Sequence, residues 1–159
     1  MLDESAMGEC QTRAERLLDG IRTAWGWVGV DPAEIVAEND FGNCIVKDAK
    51  GKYWRLCPED CYCQVVALNS EEFDMLFADQ AFLRDWLMSA LVNEALVKLG
   101  TLSEGRKYCL KVPGVLGGEY GGENIGLISL EELVRVSGHI AREIKDLPDG
   151  AKVRFRIAD

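Results

Sequence analysis

The chain has 159 residues, of which 48% are hydrophobic and 28% are charged, and its formal net charge is −9 at pH 7. This composition is typical of a folded globular protein and excludes a long disordered chain. The negative charge disfavours direct binding to DNA, RNA or anionic lipid, because those partners require a basic surface, and it weakly favours a basic protein partner.

The N-terminus lacks the basic and apolar regions of an export signal, and no stretch approaches the roughly eighteen apolar residues of a membrane span. We therefore expect a cytoplasmic protein. Because that compartment is reducing, the six cysteines are expected to be free thiols. They are Cys10, Cys44, Cys57, Cys61, Cys63 and Cys109.

The N-terminal part of the chain predicts a helical segment. Residues 12–25 place apolar side chains at helical spacing behind a Thr12-x-x-Glu15 capping box. A second, shorter helix is predicted to follow, with Asp31 as its cap and Pro32 in its first turn, where the missing proline N–H costs nothing.

From Phe41 the apolar residues alternate, which predicts strands. CIVKD, KYWRL and CQVVAL, with a DAKG turn after the first, are typical of an antiparallel meander. Helical spacing returns between Ser70 and Leu99 as two segments that should cover one face of the sheet. Their predicted apolar stripe consists of Leu83, Trp86, Leu87, Ala90 and Leu91.

The C-terminal part of the chain predicts two strands, a helix and a last strand. KYCLKV at 107–112 and the short run 125–129 flank the glycine-rich stretch PGVLGGEYGGEN. Ser129-x-x-Glu132 then opens an amphipathic helix, and an LPDG turn leads into the alternating segment AKVRFRIAD.

These elements do not alternate strand and helix, so they predict an α+β fold, a largely antiparallel β-sheet covered by helices, with an N-terminal helical segment. No linker divides the chain. We expect a single domain over residues 1–159, with the helical segment at 1–40 and the core at 41–159.

Several motifs suggest chemistry without completing a site. Cys57, Cys61 and Cys63 could supply three zinc ligands, but their spacing lacks a paired C-x-x-C, so we expect no metal. His139 is the only histidine and could pair with a cysteine nucleophile, or lie on a helix surface. The glycine-rich stretch matches no phosphate motif, and it could be a tight turn or an exposed contact loop.

Four stretches together resemble a known family. They are WGWVGVDPAEIVAENDFGN (25–43), KYWRLCPEDCYCQVVA (52–67), KYCLKVPGVLGGEYGGENI (107–125) and GHIAREIKDLPDGAKVRFR (138–156). They resemble the C-terminal domain family of type VI secretion immunity proteins of the Tdi class. The resemblance implies a non-enzymatic antitoxin, without a cofactor, that binds a contact-delivered DNase effector.

We therefore expect an immunity protein that occludes the active site of a cognate toxin, with no nucleic acid, membrane or small-molecule substrate as its direct partner. Aromatic anchors and acidic groups are the candidate partner-binding residues. They are Trp54, Glu59, Asp60, Tyr62, Glu119, Tyr120 and Glu123. For Trp54, packing in the core is the competing interpretation.

Two other functions remain open from the sequence. One is a small hydrolase or thiol enzyme that uses Cys57 or Cys109 with His139. The other is an interaction module that has no toxin partner.

Overall fold

The computed structural model describes residues 11–148 and 150–152, and within them it has the predicted α+β architecture. Three short 3-10 turns accompany the main elements. The helices and strands, in chain order, are α1 (Arg13–Trp25), β1 (Pro32–Glu38), β2 (Cys44–Asp48), β3 (Tyr53–Cys57), β4 (Tyr62–Ala67), α2 (Ser70–Leu76), α3 (Gln80–Leu87), α4 (Ser89–Leu99), β5 (Arg106–Leu110), β6 (Ile125–Ser129) and α5 (Leu130–Ile144).

The strands form two antiparallel sheets. The larger sheet has the order β1-β2-β3-β4, so each strand pairs with its neighbour in sequence, and β5 pairs with β6 in the smaller one. The predicted meander is therefore confirmed, as are the strands on either side of the glycine-rich stretch. The predicted last strand and Cys10 lie outside the described residues.

The second helix predicted at Asp31 is wrong, because Pro32–Glu38 forms the edge strand β1. Proline lacks an N–H, and this one property suits both the first turn of a helix and the first residue of an edge strand. Pairing decides between them: β1 runs antiparallel to β2 from Pro32 opposite Asp48 to Glu38 opposite Cys44.

Helices α1 and α5 cover one face of the larger sheet. The capping box of α1 is present, since the Glu15 amide donates to the Thr12 hydroxyl and the Glu15 carboxylate accepts from the Thr12 amide. The two helices approach closely at Gly138, where an added Cβ would lie 2.6 Å from the Ala24 carbonyl oxygen. The shared core contains Leu17, Ile21, Trp25, Cys44, Val46, Leu56, Leu130 and Val134.

Helices α2 and α3 contribute aromatic side chains to the other face of the sheet. Tyr53 of β3 stacks on Phe73, with ring centroids 4.4 Å apart, and Trp86 is 5% exposed in the same cluster. The predicted single apolar stripe is wrong, because the helix is interrupted between α3 and α4 at Met88, which has φ = 49°. As a result Leu87 is exposed while Trp86 is buried.

The smaller sheet has its own apolar cluster, which includes Phe41, Ala95, Tyr108, Leu110 and Ile125. It is joined to the rest of the chain by backbone hydrogen bonds. The Tyr108 amide donates to the Asp40 carbonyl at 2.9 Å, and the Leu130 amide donates to the Gly105 carbonyl at 3.0 Å. A separate bond, from the Gly114 amide to the Glu59 carbonyl, joins the β5–β6 connection to the β3–β4 turn.

Candidate protein-binding site

Two segments far apart in sequence meet at one end of the sheets. They are the β3–β4 turn, residues 58–61, and the glycine-rich loop, residues 113–124, and we call their joint surface the turn–loop surface. The Gly114 amide donates to the Glu59 carbonyl at 2.6 Å, and the Tyr120 hydroxyl donates to the Asp60 carboxylate. The contact brings together candidate residues that lie 60 positions apart.

The glycine-rich loop is held by polar bonds at several points. The Asn124 side chain accepts from the Val112 amide at 2.9 Å, and it donates to the carbonyls of Val112 and Glu119. The Gly122 amide donates to Glu94 of α4 at 2.7 Å. The loop is therefore bonded both to itself and to neighbouring elements.

Glycine is required where the loop passes its own backbone. A Cβ at Gly118 would lie 1.8 Å from the Val112 carbonyl oxygen. Every residue other than glycine would therefore clash with the backbone at this position. The glycine density thus reflects close packing and tight turns, and it shapes the loop on which Tyr120 is presented.

Glu59 is buried, which contradicts its predicted place among the partner-binding residues at the surface. Its side chain is 6% exposed, and the Asn43 side-chain amide donates to both carboxylate oxygens, at 3.0 and 2.8 Å. The Asn43 oxygen in turn accepts from the Arg55 Nε at 3.0 Å, and Arg55 pairs with Asp85 of α3 at 2.5 Å. We call Asn43, Arg55, Glu59 and Asp85 the polar hub.

The sequence patterns do not point to the other three members of the polar hub, which are Asn43, Arg55 and Asp85. Only the position of Arg55 could have indicated a buried polar group. A charged residue in the short apolar strand YWRLC must either face solvent or be paired in the interior. Asn43 and Asp85 gave no such signal, because asparagine and aspartate are common in turns and on exposed helices.

The remaining candidate residues differ in exposure. Asp60 and Tyr62 are partly exposed, Glu119 and Glu123 are exposed, and Tyr120 is 49% exposed. Trp54 is partly buried against the α1–α5 side of the sheet, and its indole N–H donates to Asp48 at 2.9 Å. The core interpretation therefore fits Trp54 better than exposure at the partner surface.

Burial raises several pKa values at this site, and the neighbouring negative charges add to the effect. Burial is the main cause of the raised pKa of Tyr120, and its bond to Asp60 adds to it. Burial, with the charges of Asp60 and Glu59, raises the pKa of the Cys61 thiol to about 12. The same two causes, burial and the neighbouring carboxylates, hold the pKa of Cys57 well above its usual range.

Cys57, Glu59 and Asp60 are the described residues that could together ligate a metal ion, with one atom from each within 4.8 Å of the others. Two features oppose this. Asn43 already donates to both Glu59 oxygens, and the raised pKa of Cys57 keeps its sulfur protonated, whereas a metal ligand must be the thiolate.

The same pKa shifts bear on the thiol-enzyme hypothesis. The described cysteines with raised pKa include both proposed nucleophiles, Cys57 and Cys109, with burial as the main cause. His139 is exposed on α5, and among residues 11–148 and 150–152 no hydrogen bond joins it to a cysteine. A thiol nucleophile needs the opposite arrangement, a lowered pKa beside a base.

A mostly apolar cleft of about 290 Å³ lies behind the turn–loop surface. Pro58 and Glu59 of the turn line it together with Pro113 of the loop, and Leu133 and Ser137 of α5 form the opposite side. Cys109, one of the two proposed nucleophiles, also lines the cleft, and burial raises the pKa of its thiol.

Comparison with protein families identifies the matching segment. Residues 67–141 match the family described as T6SS immunity protein Tdi1, C-terminal. This segment of the chain is similar to the type VI secretion immunity family. The resemblance seen in the sequence is thereby confirmed from Ala67, the last residue of β4, to Ala141 in α5, including the glycine-rich loop, while the β3–β4 turn precedes the match. No curated protein matches the chain.

None of the helices within the described residues is long and apolar enough to cross a membrane.

The burial of Glu59 predicts a measurable pH dependence. Burial is the main cause of its raised pKa, so the folded protein holds this proton more tightly than the unfolded chain does. The free energy of unfolding should then fall as the pH rises from about 4.5, the ordinary pKa, through the raised value. Each tenfold change in proton affinity corresponds to about 1.4 kcal/mol.

Glu59→Gln removes this titration and is expected to flatten that part of the stability profile. Urea unfolding of both proteins between about pH 4.5 and pH 8 measures the difference. Glu104→Gln, at an exposed position, is the control and should leave the profile unchanged. Parallel profiles for the wild type and Glu59→Gln would show that Glu59 does not titrate differently on folding.

Proposed function

We propose that this protein is a cytoplasmic antitoxin that binds the toxin domain of a cognate type VI effector and covers its active site, and that the toxin is a nuclease. The immunity family supports an effector as the partner. The protein would act by surface complementarity and would make or break no covalent bond itself.

The turn–loop surface is the observation that carries this proposal. It presents an aromatic side chain, Tyr120, on a loop fixed by hydrogen bonds, with Asp60, Glu119 and Glu123 close to it in sequence or space. Tyrosine is enriched among the residues that dominate binding energy, and a fixed loop loses little conformational entropy on binding.

The acidic side chains explain why a nuclease is the favoured partner. A nuclease must hold the phosphate backbone with basic groups, and carboxylates can occupy those groups in place of the substrate. Asp60 is bonded to Tyr120, and Glu123 is fully exposed with Lys98 at 3.7 Å. This arrangement offers negative charge around an aromatic centre.

The test is co-expression of the effector's toxin domain with this protein, followed by measurement of cell survival, of DNase activity and of the affinity of the purified pair. We expect the wild type to restore survival and to inhibit the nuclease in a one-to-one complex. Tyr120→Ala should weaken binding by about thirtyfold or more, the loss expected of an anchoring aromatic residue.

Two variants control for folding and for the hydroxyl bond. Leu87→Ala changes an exposed apolar residue outside the turn–loop surface and should bind like the wild type. Tyr120→Phe keeps the ring but loses the bond to Asp60, so it separates contact from loop anchoring. Unchanged toxicity in the presence of the wild-type protein would reject the antitoxin function.

A further inference from the structure

Helix α4 exposes apolar side chains where the other long helices expose charge. The outward positions of α5 include Glu131, Arg135 and His139, as expected for an amphipathic helix on a core. On α4, Leu96 is 44% exposed and Val97 is 87% exposed. A helix with apolar residues on its outer side is typical of an element that is covered by something else.

The exposed end of α4 adjoins the glycine-rich loop. Glu94 accepts from the Gly122 amide at 2.7 Å, and Lys98 lies 3.7 Å from the Glu123 carboxylate. Residues three positions apart share one side of a helix, so Val97 lies on the same side as Glu94, the residue that accepts from the loop. The part of α4 that carries Val97 is therefore bonded directly to the glycine-rich loop, which forms half of the turn–loop surface.

The charges around this patch define the chemistry of what covers it. The apolar end of α4 borders a loop that carries Glu119 and Glu123, both exposed. A complementary surface would present an apolar side chain flanked by basic groups. A second copy of this acidic chain fits less well, because its net charge of −9 opposes self-association.

We infer that the exposed end of α4, centred on Val97, is part of the effector-binding surface and contacts an apolar side chain that basic residues flank on the toxin. This inference rests on the proposed function. Both α4 and the loop lie within the segment that matches the immunity family.

The experiment measures the affinity of the purified toxin domain for the full chain carrying Val97→Glu. We expect binding to weaken by about tenfold or more, because a carboxylate would replace the apolar contact at the interface. Met75→Glu is the matched control, since Met75 is 68% exposed on α2, and it should change the affinity by less than about twofold. Val97→Ser serves if the glutamate variant fails to fold.

The outcomes separate this inference from the proposed function. If Val97→Glu and Val97→Ser bind like Met75→Glu while Tyr120→Ala binds weakly, the inference is wrong and the antitoxin function stands. If the wild type itself does not bind the toxin domain, the proposed function fails. If light scattering shows a dimer of the wild type that Val97→Glu dissociates without loss of toxin affinity, the patch is a self-association surface and the inference is overturned.

Discussion

Asn43→Ala is expected to lower the free energy of unfolding by about 3 to 5 kcal/mol, one of the largest effects of any single substitution in this protein. Asn43 is completely buried, and its side chain bonds both to the Glu59 carboxylate and to the Arg55 guanidinium. Alanine would leave both charged groups buried without these partners, and hydrogen bonds to charged groups are each worth about 1.5 to 3 kcal/mol.

Urea unfolding followed by circular dichroism measures this loss. Asn69→Ala is the control, because Asn69 is an exposed asparagine whose oxygen caps α2 by accepting from the Glu72 amide. That variant should lose only about 1 kcal/mol, the usual value of a helix cap. Equal losses for the two variants would contradict a special role for the polar hub.

Trp25→Ala is expected to destabilise the protein by about 3 to 5 kcal/mol, because it removes the largest fully buried side chain and leaves a cavity. Trp25 is 0% exposed between α1, α5 and the sheet, and its indole N–H donates to the Val134 carbonyl at 3.2 Å. The substitution also leaves that carbonyl with one hydrogen bond fewer.

Trp27→Ala provides the comparison two residues away. Trp27 is partly buried, stacks on Trp25 with centroids 5.9 Å apart and donates to the Ala24 carbonyl at 2.9 Å. Because solvent already reaches part of this ring, its removal should cost clearly less than that of Trp25. Similar unfolding midpoints in urea for the two variants would mean that the core does not depend on Trp25 in this way.

The polar hub also connects stability to the candidate binding site. Glu59 belongs to the β3–β4 turn, Arg55 to β3 and Asp85 to α3, and all three are joined through Asn43 or through Arg55. The backbone carbonyl of Glu59 accepts from Gly114 of the glycine-rich loop. The turn–loop surface is thus attached to the core, which reduces the ordering that binding would require.

Much of the local structure follows from sequence patterns alone. The capping box at Thr12 and Glu15, the helix that begins after Ser129 and the alternation of β2 to β4 all reflect contacts between near neighbours. The density of glycines also predicts a loop at 113–124. In the structure glycine is required at Gly118, because the backbone there passes close to the Val112 carbonyl.

The family resemblance could be read from the sequence as well, whereas the partner-binding role of the candidate residues stays a prediction. Two of these candidates, Tyr120 and Asp60, are joined by a hydrogen bond in the structure. Their proximity was not predictable, because it depends on packing between segments that lie on different sheets.

The sequence by itself determined the α+β class, most element positions and the acidic character of this protein, because those properties depend on composition and on residues close together in the chain. Only the tertiary structure decided that Pro32 begins a strand, that Glu59 turns inward to Asn43 and that Glu94 of α4 bonds to the glycine-rich loop. Each of these depends on a partner distant in sequence, whose position follows from packing and hydrogen bonding across the fold.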